Sequence, residues 1–94
     1  MATVYIIYSK EIDIFYIGSC LNLKQRLEQH RNKSFNDSFT RRAKDWELFL
    51  KIENLDYRQA RKIEKHIKKM KSRTYINNLK KYPEIIDKLI QKYQ

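Results

Sequence analysis

Ninety-four residues suffice for one domain with a modest core and leave no room for a second independent fold. A chain that is 41% hydrophobic and 34% charged is a globular composition, and its longest apolar runs, VYIIY and LFL, are far too short to cross a membrane. Lys and Arg number 21 against 11 Asp and Glu, and the net charge of +10 points to a polyanionic partner unless it merely solvates the surface.

The opening MATVYII lacks a basic segment followed by a long apolar core, so the expected location is the cytoplasm and no membrane partner is expected. One cysteine, Cys20, excludes an internal disulfide, and no disulfide-linked partner is expected. Cys20 reads as a small packing residue rather than a nucleophile, and with His30 and His66 it makes no recognisable zinc spacing.

Residues 3–9, TVYIIYS, are rich in β-branched and aromatic side chains and predict a strand. KEID reads as a hairpin connection, and residues 14–18, IFYIG, as the returning strand. An even loop length puts Tyr5 and Tyr16 on one face, because opposed residues share a side. Gly18, the single glycine of the chain, is expected to turn the backbone out of this strand and let a substrate come close.

Residues 22–32 have helical spacing, with Asn22 as the cap, Leu23 and Leu27 on one row and Arg26 and His30 on the next. Arg26 is either an exposed side chain or a guanidinium placed to hold a phosphate. The polar, basic NKSFNDSFTRRAKD predicts a loop, and WELFLKIEN a third strand with Trp46, Leu48, Leu50 and Ile52 on one face. Asp56 caps a long helix to about Met70, with Ala60, Ile63, Ile67 and Met70 as its apolar stripe.

Glu64 is the one acid among eight Lys or Arg between Arg58 and Arg73, and it borders that stripe. It either pairs with Arg61 or Lys68 or binds a hard divalent cation, for which one or two carboxylates suffice. Ser72 caps a short helix, RTYINNLKK, and Pro83 opens a last one, PEIIDKLIQKY, whose Ile85, Ile86, Leu89 and Ile90 could complete the core or join a second copy. The expected fold class is therefore α+β: a three-stranded antiparallel sheet flanked by helices, in the order β-β-α-β-α plus C-terminal helices.

Five residues in this order resemble the GIY-YIG nuclease superfamily: Tyr5 in TVY, Tyr16 in YIG, then Arg26, His30 and Glu64 on a later helix. YIGSCLNLKQRLEQH is the most specific piece, and WELFLKIENLDYRQARKIEKHIKKMKS resembles the second half. The resemblance covers roughly residues 3–75 and is closest to small single-domain proteins similar to the nuclease domain of the bacterial excision-repair incision protein. It implies one nuclease-like domain over residues 1–94, with 73–94 a helical extension. It implies Mg²⁺- or Mn²⁺-dependent hydrolysis of DNA phosphodiester bonds in repair or processing, with one ion held by Glu64. Arg26 would neutralise the attacked phosphate, and Tyr5 or Tyr16, with His30 close by, would assist deprotonation of water.

Three departures stand out. Thr3 replaces the first glycine of the signature, Ser19 stands after YIG where some relatives have lysine, and only Asn77 or Asn78 could answer to a late asparagine. Gly18, Arg41, Arg42, Lys44, Arg61, Lys65 and Lys68 are the expected nucleic-acid contacts, together with Lys69, and Phe35, Phe39 and Trp46 could stack on bases. The alternatives are a non-catalytic nucleic-acid-binding module on the same fold and a basic adaptor for an acidic surface.

Overall fold

A strand with apolar or aromatic side chains at almost every position suits the middle of a sheet covered on both faces. ATVYIIYS occupies that place. The computed structural model describes residues 1–31 and 42–94, so the expectations for Arg41, Phe35 and Phe39 fall outside the described residues.

In chain order the elements are β1 (Ala2–Ser9), β2 (Ile14–Cys20), α1 (Leu23–Arg31), β3 (Glu47–Leu55), α2 (Tyr57–Met70), α3 (Arg73–Lys81) and α4 (Pro83–Lys92). The sheet order is β2-β1-β3, antiparallel throughout. This is the α+β fold expected from the sequence.

Residues 10–13 close the hairpin after the pair Ser9↔Ile14, and Asp13 takes the left-handed conformation at φ 53°. The even loop puts Tyr5, opposite Gly18, on the same face as Tyr16. The strand does not end at Gly18, as the sequence reading had it, but runs on to Cys20. Gly18 does not have a positive φ.

β3 departs from the single-face expectation. Leu50 and Ile52 stand opposite Ile6 and Val4, but Leu48 stands opposite Ile7. Neighbouring residues of β1 point to opposite faces, so the extra residue at this bulge turns Leu48 away from Leu50. Trp46 accordingly packs with Tyr5 and Ile7, while Ile52 packs with Val4 and Ile6. A second irregularity, with Asn54 at φ 61°, brings Leu55 into the same core as Ile52.

The two faces carry two cores. Ala2, Val4, Ile6, Ile52 and Leu55 meet Ala60, Ile63 and Ile67 of α2, Ile76 and Leu79 of α3, and Leu89 of α4. Tyr5, Ile7, Cys20, Ala43 and Trp46 form the other cluster, with Leu23 and Leu27 of α1 against it. The stripe of α4 packs on the chain's own core, with Leu89 buried in it and Ile85, Ile86 and Ile90 partly buried against it.

Helix ends follow local chemistry. Asn22 Oδ1 accepts the Gln25 amide at 3.0 Å, Ser72 Oγ accepts the Tyr75 amide at 3.1 Å, and Pro83 opens α4. Lys71 at φ 47° terminates α2, leaving Met70 exposed instead of in the stripe. Among the described residues no helix is long and apolar enough to cross a membrane.

Candidate active site

Side chains alternate along β2, so Tyr16, Gly18 and Cys20 face the α1 side while Ile17 and Ser19 face the α2 side. Because β2 is an edge strand, groups on both sides can meet around it.

Tyr5 lies across Gly18. A Cβ at Gly18 would sit 2.5 Å from the Tyr5 hydroxyl and 2.6 Å from its Cζ. The glycine is therefore required by the phenol packed over it, not by a turn, and the space it leaves is filled by Tyr5. The Tyr5 hydroxyl hydrogen-bonds with His30 Nε2 at 2.8 Å, and both residues are fully buried. Tyr16 is half-buried; its ring lies 6.4 Å from that of Tyr5 and 5.2 Å, edge-on, from that of His30. Burial pushes the Tyr5 phenol up to about 12, while the Arg26 guanidinium beside it pulls the other way.

Arg26 Nη1 donates to the Ser19 carbonyl at 3.4 Å. It lines an open groove of about 400 Å³ with Ser19, Leu21, Gln25, Gln29 and the exposed Tyr57. On the other side of the same residue, the Ser19 hydroxyl donates to Glu64 Oε1 at 2.5 Å. Glu64 is 8% exposed; Lys68 Nζ lies 2.6 Å from its Oε2, and Arg61 Nη1 lies 3.8 Å from its Oε1. Lys68 also stands 5.9 Å from the centre of the Tyr16 ring.

Arg26 and Glu64 thus reach the sheet edge from opposite faces and meet at one residue. Tyr5, Tyr16, His30 and Arg26, scattered in sequence, lie together on the α1 side, and Glu64 approaches through Ser19 from the α2 side, lining a different groove from Arg26. Arg61, Lys65 and Lys68 border Glu64 in an adjoining groove of about 370 Å³ completed by Lys62. Lys69 lines a different groove with His66 and Lys92. Arg42 and Lys44 are exposed beside the buried Ala43, on the Tyr5 face of the sheet.

Asn77 donates to the Arg73 carbonyl within α3, at 3.0 Å. Cys20 is buried, and burial raises its thiol pKa, which suits a packing role. The residue that sequence reasoning undervalued is Ser19. Strand alternation puts its hydroxyl on the face opposite the tyrosines, but does not say which helix covers that face.

A family model described as the GIY-YIG catalytic domain matches residues 1–80. No curated protein and no solved structure gives a match.

Proposed function

The chain belongs to the GIY-YIG family, and from that premise we propose that it is a divalent-metal-dependent endonuclease that hydrolyses phosphodiester bonds of DNA in repair or processing, in the cytoplasm. The observation that carries this reading is the meeting of Arg26 and Glu64 at Ser19, beside the Tyr5–His30 pair. A guanidinium and a carboxylate on one strand edge can address a single phosphate.

Glu64 fits one Mg²⁺ or Mn²⁺. Its carboxylate opens on the Lys65 groove, and such ions commonly take one or two carboxylates and keep several waters. Among the described residues no group of three or more His, Cys, Asp or Glu converges, so a fuller protein cage is not formed. A bound divalent ion would neutralise charge on the phosphoryl oxygens.

The chain's own residues supply the rest. Arg26, lining the groove beside Ser19, holds and neutralises the attacked phosphate. Tyr5 is a neutral, fully buried phenol at ordinary pH, so it can relay a proton only as it gives its own away, and the half-buried Tyr16 is the phenol open to water. His30 Nε2, 2.8 Å from the Tyr5 hydroxyl, is placed to take the Tyr5 proton. Tyr16 is the more open of the two phenols and lines the approach to this pair. Arg61 and Lys65, with Arg42 and Lys44, attract the flanking backbone.

One observation favours a non-catalytic binding module instead: both oxygens of Glu64 already accept hydrogen bonds. A nicking assay with Mn²⁺ on plain, branched and damaged duplexes separates the two. We expect Glu64→Ala and Arg26→Ala each to lower cleavage by about a hundredfold or more. Undiminished cleavage by Glu64→Ala would sink the nuclease assignment. Salt-sensitive DNA binding without cleavage by the wild type would establish the binding module.

A further inference from the structure

A carboxylate that is 8% exposed has given up most of its hydration and needs compensating charge. In Glu64 that charge comes chiefly from its own helix. Lys68 follows at i+4 with Nζ 2.6 Å from Oε2, while Arg61 at i−3 keeps 3.8 Å from Oε1. Ser19 supplies a neutral donor to Oε1 at 2.5 Å. Of the lone pairs a metal ion could use on Oε2, one is therefore already taken by Lys68, whose charge stands close to the other.

An ammonium and a divalent cation cannot share one carboxylate oxygen at bonding distance without strong repulsion, so one must leave. Lys68 can leave. Its side chain is about half exposed, 49% against 10% for Glu64, and its long stem opens into the groove it lines with Lys62 and Lys65. Ser19 and Arg61 need not move, because they address the other oxygen.

We propose that Lys68 is the resident counterion of Glu64 and that a divalent metal ion must displace its ammonium group to bind. This rests on the metal-site reading above and adds to it the residue that sets the site's affinity. Lys68 acts through Glu64 and is a positioning residue, so its signature is a change in metal binding itself.

The test is a Mn²⁺ titration of the DNA-free protein, reading the unbound ion by electron paramagnetic resonance, with circular dichroism to show that each variant is folded. Lys68→Met keeps the stem and removes the charge; it should tighten Mn²⁺ binding about fivefold. Lys65→Met removes the same charge from the same groove without touching the carboxylate, and should stay within about twofold of wild type because exposed charges are screened.

A Lys68→Met protein that binds Mn²⁺ no more tightly than wild type overturns the proposal. So does an equal gain from Lys65→Met, which would reveal only the general positive field. Glu64→Gln separates the two layers. If it abolishes binding while Lys68→Met has no effect, the metal site stands and the counterion role falls; if it binds Mn²⁺ like wild type, both fall.

Discussion

At the scale of single residues, the packing of Tyr5 over Gly18 decides the most. Alanine at 18 would force the phenol away from His30, since its Cβ would lie 2.5 Å from the hydroxyl. We expect Gly18→Ala to cost about 1–3 kcal/mol of stability, the usual range for overpacking. It should also lower cleavage, because the 2.8 Å bond to His30 could not persist. Thermal melts and the nicking assay check both effects; a variant as stable and as active as wild type would refute the account. That Tyr5, Tyr16, Arg26 and His30 would lie together, with Glu64 reaching the same strand, was legible in the sequence because their spacing is that of a known signature. The role of Ser19 was not, since it depends on which helix covers which face of β2. The reason for Gly18 was misread for a related cause: glycine signals a need for space or conformational freedom, and the sequence does not say which.

At the scale of elements, strand and helix periods were readable, and the bulges of β3 were not. A bulge adds one residue without changing composition, yet it sends Trp46 and Ile52 into different cores. The helices α2, α3 and α4 are joined by more than apolar contacts. His66 Nε2 hydrogen-bonds with the Tyr75 hydroxyl at 3.2 Å, and the Tyr93 hydroxyl with His66 Nδ1 at 2.9 Å. Partial burial, with Lys92 and Lys69 nearby, lowers the His66 pKa from 6.5. The unfolded chain then takes up the proton first as the pH falls, so this group removes stability below about pH 6.5. His66→Gln cannot titrate in that range. Its melting temperature should fall less than that of wild type between pH 7.5 and pH 5, and an equal fall would show that His66 is not responsible.

At the scale of the whole molecule, the net charge of +10 predicts how the proposed DNA substrate would be held. Each phosphate neutralised contributes about −0.9 to the slope of log K against log salt. Replacing Arg61 and Lys65 together should make that slope shallower by about 2, across DNA sequences alike. Filter binding at several salt concentrations measures it, and an unchanged slope would place the DNA elsewhere. The overall charge was plain in the sequence, but not its placement. Lys68 borders Glu64, Lys69 and Lys92 lie with His66 in another groove, and Lys62 and Lys65 line both.

Ser19 joins a guanidinium contributed soon after the first hairpin to a carboxylate contributed much later, on α2. During translation, a nascent chain that has not reached residue 64 carries the arginine but not the carboxylate that meets it at Ser19. A chain ending before α2 would lack both that carboxylate and the helix whose Ala60, Ile63 and Ile67 close one of the two cores.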